Sequence, residues 1–419
     1  MTTRKTKFDR SRLLIGTYCI APYAMDEAHV KDMKDCGIDF LTAAPANLTL
    51  LDNCKKYGIG VVANGILPGW WGGDGDNAGT MEEKVPLEKV REAADKLNAD
   101  EFLRDHPALW GIDAGDEPSA LDFPHYGKLI SLAEELFPDR LVYLNLYPNY
   151  ASVAENSDSQ VHSQLGTATY QEYIDRYVEQ VKTDYLCLDN YEFAAGTAKL
   201  YDNLRIAANA CRMSGRDFWM VLQVNSNKPE KWLSKDMLRH QAFTSLAFGA
   251  VSLNWACWTA GWWHNEVLDA AGNRTEQYDK LKAVNAEIRR LEPLYMKYKN
   301  LASVFAGDRA DEAIDSSGAD HVPSYSCEGF GEITPGPGEN VVLGEMAARE
   351  GDSRAIFVAD VTDPTFAEAP ADRTVTFKAV PGTHYRTVGN KPVTIRKEGD
   401  LVRVTYPSYG AFIVTAEKE

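Results

Sequence analysis

The segment LWGIDAGDEPS, residues 109–119, sets the reading of the chain. It starts as an apolar run, the pattern of a strand covered on both faces. It ends on Asp113, Asp116 and Glu117, followed by a proline. A helical stretch over 125–137 comes next. A strand that ends in acids and runs into a helix is one unit of a parallel α/β fold. The plain alternative for its end is a helix cap, with Asp116 capping and Pro118 at the first helical position.

The same unit recurs on both sides. Upstream lie the apolar runs LLIGTYCIAP (13–22), IDFLTAAP (38–45) and IGVVANGILP (59–68). Downstream lie LVYLNLYP (141–148), YLCLDNYEF (185–193), FWMVLQVNS (218–226) and AVSLNWACW (250–258). Helical stretches over 26–36, 48–57, 86–106, 169–182, 197–213, 235–248 and 277–298 complete the alternation, with Gly37 and Gly58 placed as C-caps. Eight strands, each followed by a helix, is the count of a TIM (β/α)8 barrel, here assigned to residues 1–300. No GxGxxG follows any of these strands, which speaks against an open doubly wound sheet.

Beyond residue 300 the periodicity changes from helical to alternating. ENVVLGEMA (339–347), RAIFVADV (354–361), TVTFKAV (374–380), KPVTIRKEG (391–399), DLVRVTYP (400–407) and GAFIVTAE (410–417) read as strands of a small antiparallel β-sandwich over 301–419. The stretch 307–340 reads as a loop or irregular edge. Packing against the barrel is the default role for such a domain, with sugar binding and homo-oligomerisation as the others.

Composition excludes several classes. Of 419 residues, 44% are hydrophobic and 25% charged, the balance of a globular protein rather than a fibre or a disordered chain. No apolar run approaches the roughly 18 residues of a membrane span. A net charge of −17 with no basic cluster disfavours nucleic acid as a partner. The seven cysteines include no CxxC pair, and several sit in apolar runs, which suits a reducing compartment. The N-terminus has no signal-peptide pattern, so a cytoplasmic location is expected.

In a TIM barrel, chemistry sits at the C-terminal strand ends. Those positions carry Tyr18, Asn64, Trp70, Trp71, Asp113, Asp116, Glu117, Asn145, Tyr147, Asp189, Tyr191, Glu192, Gln223, Asn225, Trp255, Trp258, Trp262, Trp263 and His264. The set is carboxylates, amides and aromatics without Lys or Arg, which disfavours a phosphate ligand. It suits carbohydrate, whose C–H faces stack on aromatic rings and whose hydroxyls take carboxylate and amide partners. Trp255 reads equally as core. Among eight histidines only His264, beside Glu266, is placed at a strand end, so neither a metal nor any other cofactor is expected.

The Glu-Pro at the end of strand four, the Trp- and Tyr-rich mouth and the C-terminal sandwich together resemble glycoside hydrolases of the clan A barrel type, in particular β-galactosidase-like members. The segment VLDAAGNRTEQYDKLKAVNAEI (267–288) is similar to the part of those enzymes where the last loop feeds the final helix. The resemblance implies a glycoside hydrolase acting on a small oligosaccharide or glycoside. The family's general acid/base is the Glu of an Asn-Glu-Pro, which falls on Glu117, with Asp116 in place of the Asn. The family's nucleophile is a Glu at the end of strand seven. Here that strand offers Gln223 and no acid. The second acid is therefore expected from strand six, as Asp189 or Glu192, in either a retaining or an inverting arrangement. The competing expectation is a barrel that binds carbohydrate without hydrolysing it.

Overall fold

The computed structural model describes residues 6–68, 77–153, 163–259, 261, 263–366 and 371–418. Its first sheet has eight parallel strands: β1 (Leu14–Tyr18), β2 (Phe40–Pro45), β3 (Gly60–Asn64), β4 (Leu109–Asp116), β5 (Leu141–Asn145), β6 (Tyr185–Asn190), β7 (Asp217–Gln223) and β8 (Ala250–Ala256). Their order, β5-β4-β3-β2-β1-β8-β7-β6, is that of a barrel opened at one seam. A single parallel bridge, Leu146 to Leu188, spans that seam. The helices on the outside are α1 (Glu27–Asp35), α2 (Leu48–Tyr57), α3 (Met81–Lys84), α4 (Leu87–Ala99), α5 (Phe123–Leu136), α6 (Tyr170–Gln180), α7 (Glu192–Ala195), α8 (Thr197–Ser214), α9 (Lys235–Ala247) and α10 (Glu276–Tyr295).

Alternation along the strands separates two cores. Ile15, Leu41, Val142, Leu186, Met220 and Leu253 point outward under the helices. Leu14, Phe40, Val62, Tyr143, Tyr185, Cys187 and Trp219 fill the interior. Phe8 closes the bottom, its ring 4.9 Å from Trp219 and 5.0 Å from Phe40. Small residues make room for these rings: a Cβ on Gly60 would stand 1.9 Å from the Trp110 indole.

The C-terminal region is a sandwich of two sheets. The six-stranded sheet contains β9 (Tyr298–Gly307), β10 (His321–Val322), β13 (Asn340–Ala348), β14 (Arg354–Asp360), β16 (Thr383–Gly389) and β19 (Ala411–Lys418). The five-stranded sheet contains β11 (Tyr325–Cys327), β12 (Phe330–Pro335), β15 (Asp372–Ala379), β17 (Thr394–Glu398) and β18 (Leu401–Pro407), and a short helix α11 (Glu312–Ser316) follows β9. The outer face of the six-stranded sheet, with Phe305, Val342, Phe357 and Ile413, joins the barrel's hydrophobic core. Gly344 lies against α9 so closely that a Cβ would meet the Ala247 carbonyl at 2.3 Å. Arg239 of α9 pairs with Glu287 of α10, and Asn390 of the sandwich donates to the same carboxylate at 2.8 Å.

Several sequence expectations need correction. The last barrel helix ends at Tyr295, and 298–307 is the first sandwich strand rather than helix. The stretch 307–340 holds α11, β10, β11 and β12, not only loop. Asp116 is the last residue of β4 and caps nothing; α5 starts seven residues later, at Phe123. The carboxylate near that start, Asp122, instead accepts from the backbone of Gly79 and Met81, both at 2.9 Å. The strand read through 193 stops at Asn190, because Glu192 opens α7.

Candidate active site

The C-terminal ends of β1, β4, β5, β6 and β7 surround a cavity of about 420 Å3, lined by Tyr18, Asp116, Glu117, Asn145, Asp189, Tyr191 and Val221. Local backbone geometry brings the acids there. A register shift between Asp113 and Gly115, the mark of a bulge, lets β4 deliver Asp116 opposite Asn145. Glu117 follows in the left-handed region, at φ +47°, with its backbone N–H donating to the Asn145 carbonyl at 2.9 Å. A bulky residue held in that region costs energy, and such strain concentrates at functional sites. Asp189 projects from β6, beside Val221 of β7.

The carboxylates share donors. Asn145 Nδ2 donates to Asp189 Oδ1 at 2.9 Å and to Asp116 Oδ1 at 3.1 Å. The Tyr18 hydroxyl donates to Asp116 Oδ2 at 3.1 Å. Asp189 Oδ2 is buried and has no hydrogen-bond partner among the described residues. Burial pushes the Asp189 carboxyl well above the usual carboxylate range, and the charge on Asp116 adds to this. The bond from Asn145 acts the other way, as does one with Glu117. Asp116 is also raised by burial, against the donors Asn145 and Tyr18. One residue below the bulge, Asp113 is pushed up to about 7 by burial and by Asp116. Burial and mutual repulsion thus both oppose full ionisation of the cluster, since buried like charges resist ionising together.

Aromatic rings form one wall. Tyr191 meets Trp263 edge-on with centroids 4.8 Å apart. Its backbone N–H donates to the hydroxyl of Tyr150 at 3.2 Å, and Tyr150 is partly exposed. The sequence reading missed Tyr150. Its position, five residues past the end of β5 in a loop, was the available signal.

Other expected site residues lie elsewhere. Glu192 is fully buried, pairs with His240 Nδ1 at 3.0 Å and accepts from Thr197 Oγ1 at 2.7 Å. Gln223 is buried and ties β7 to α7 by accepting from Phe193 N at 2.9 Å. Tyr147 lies in the core beside Tyr173, and its carbonyl accepts from the Tyr170 hydroxyl. Trp255 is core, donating to Asn285 Oδ1 at 3.0 Å, and Trp258 is buried against Tyr278. Asn64 is exposed at the end of β3. His264 bridges to Ser226 through its backbone, and the buried side-chain polar atoms of Asn225 have no partner among the described residues. Trp70, Trp71 and Trp262 fall outside the described residues. Among the described residues no His, Cys, Asp and Glu cluster has the makings of a metal site, and no helix is long and apolar enough to cross a membrane.

What the fold and site define is a (β/α)8 barrel with an appended sandwich and a carboxylate-lined mouth walled by tyrosine. No family model and no curated protein matches the sequence. Solved structures of similar shape include a glycoside hydrolase family 5 mannosidase from Rhizomucor miehei, at 12% identity and TM-score 0.48, over 70% of this chain and 99% of that one. A family 30 subfamily 8 xylanase from Clostridium acetobutylicum aligns over 96% of this chain and 95% of that one, at 10% identity and TM-score 0.44. A β-galactosidase from the psychrophilic Marinomonas ef1 aligns over 66% of this chain and 60% of that one, at 10% identity and TM-score 0.46.

Proposed function

We propose that the protein is a glycoside hydrolase whose two reacting carboxyl groups come from β4 and β6, Glu117 as general acid/base and Asp189 as nucleophile. The observation that carries this reading is the meeting of those carboxyls, with Asp116, in one cavity. Hydrolysis of a glycoside needs one carboxylic acid to protonate the leaving oxygen and one carboxylate on the other side of the bond. In that division Glu117 carries the proton and Asp189 the charge, which the Asn145 Nδ2 donor to Asp189 Oδ1 at 2.9 Å supports. Asn145 holds Asp189 Oδ1, which leaves Oδ2 to attack an anomeric carbon.

The reading takes the covalent, retaining route, with Asp189 attacking. Inverting pairs stand roughly 6.5–9.5 Å apart to admit a water, and retaining pairs roughly 5–5.5 Å. Glu117 and Asp189 line one cavity and can reach the same ligand. Glu192 is unavailable as the second acid, because His240 and Thr197 occupy both its oxygens. Tyr18 and Tyr191 in the cavity lining offer rings on which a sugar could stack. Among the described residues the cavity lining carries no cation, which favours a neutral glycoside over a uronate or sugar phosphate.

The test is hydrolysis of a panel of aryl glycosides by the unmodified protein, Glu117→Gln and Asp189→Asn. Glu117→Gln should lower kcat about 10²–10⁴-fold on a glycoside with a poor leaving group, and less on one with a good leaving group. Binding of sugars without cleavage of any panel member would turn the reading towards a carbohydrate-binding barrel.

A further inference from the structure

Asn145 performs two tasks with one nitrogen. Each of its amide hydrogens meets a different carboxylate, Asp116 and Asp189. This works only if the amide faces one way. Turned over, it would set its carbonyl oxygen against two carboxylates. The residue that fixes the facing is Cys187, whose thiol donates to Asn145 Oδ1 at 3.4 Å. The thiol's hydrogen is thereby used, so the hydroxyl of Tyr143, 3.4 Å from the same sulfur, acts as donor to it. The strands are built for this relay. Cys187 precedes Asp189 by two residues on β6, and Tyr143 precedes Asn145 by two on β5, so each pair shares a face. Tyr143 and Cys187 form a buried layer directly beneath the acids, and all donors run in one direction from Tyr143 up to the carboxylates.

We propose that Cys187 is a positioning residue for the reaction assigned above, acting through Asn145 to hold Asp116 and Asp189 in their reactive arrangement. The inference rests on that assignment for its meaning in catalysis, though the relay itself is independent of it. A thiol in an apolar layer would otherwise be a packing group, for which alanine and serine are equally poor replacements. A relay separates them, because serine can donate to the Asn145 oxygen and alanine cannot.

Two readouts on the full-length protein test this. The first needs no substrate: the pH dependence of urea unfolding for the unmodified protein, Cys187→Ala and Cys187→Ser. Loss of the relay frees the amide to turn, which withdraws a donor from ionised carboxylates and raises their proton affinity. Cys187→Ala should therefore lose more stability at pH 8 than at pH 5, and Cys187→Ser should follow the unmodified protein. The second readout is the acid limb of kcat/KM on any glycoside that is cleaved. Cys187→Ala should move it up by about one pH unit, tenfold in proton affinity, and Cys187→Ser should restore it. Should Cys187→Ala fail to fold, Tyr143→Phe, which deletes only the hydroxyl, should displace both readouts in the same direction by less. Equal losses for Ala and Ser with no displacement of either pH dependence overturn the proposal, as does an unmoved Tyr143→Phe. A displaced unfolding profile in a protein that cleaves no glycoside supports the relay and overturns the hydrolase reading instead.

Discussion

At the scale of single residues, the site is an arrangement of acids that burial keeps from ionising freely. The sign of the resulting pH dependence follows from the direction of the shifts. Asp113 is held up to about 7, so the unfolded chain releases this proton at a lower pH than the folded one. Stability from this group is complete below the unfolded value, near 4, and is lost as pH rises through the folded one. Asp113→Asn, which can still accept from Gly115 N, should then raise the thermal midpoint at pH 8 and leave it nearly unchanged at pH 4. The same reasoning places the acid limb of activity above the ordinary carboxylate range, because burial and Asp116 keep Asp189 protonated longer. A pH–kcat/KM profile on a cleaved glycoside checks this, with a limb at pH 4 or below as the contrary result. Sequence alone separates these acids poorly. Asp189 and Glu192 both stand near the end of strand six, and only the turn into α7 swings Glu192 away to His240. Cys187 and Tyr143 look like packing until their partners two residues on are seen to share a face.

At the scale of elements, the eight barrel strands and their helices are legible because apolar runs, Gly C-caps and spacing agree. Gly58, predicted as a C-cap, adopts φ +66° and ends α2. The sandwich is less legible. Its edge strands β10 and β11 are only two and three residues long, too short to show an alternation. The bulge in β4 is likewise invisible, yet it decides which of Asp113 and Asp116 meets Asn145. Close approach between elements also overrides propensity. Gly127 lies inside α5, where Ala would ordinarily add about 1 kcal/mol of helix stability. A Cβ there would stand 2.2 Å from the Gln180 carbonyl at the end of α6. Overpacking of this kind costs about 1–3 kcal/mol, so Gly127→Ala should lower the thermal midpoint rather than raise it.

At the scale of the molecule, barrel and sandwich share a core, and one polar node sits in their seam. Arg239, Glu287 and Asn390 join α9, α10 and the sandwich, with Arg239 and Glu287 nearly buried. Glu287→Ala strips a buried guanidinium of its bidentate partner and should destabilise the protein by about 3 kcal/mol, read by chemical denaturation. A loss under 0.5 kcal/mol would show that Asp236, the other partner of Arg239, suffices. The barrel strands bring Asp116, Asn145 and Asp189 to one cavity, and the C-terminal end of β7 carries Gln223 in place of an acid. The decisive measurement therefore asks where a glycosyl group becomes attached. A 2-deoxy-2-fluoro glycoside with a good leaving group, matched to a sugar the protein cleaves, would be incubated with the protein and the labelled peptide found by mass spectrometry. A single adduct on Asp189, lost in Asp189→Asn, is the predicted result. Inactivation with the adduct on any other residue would contradict the assignment of the nucleophile to β6.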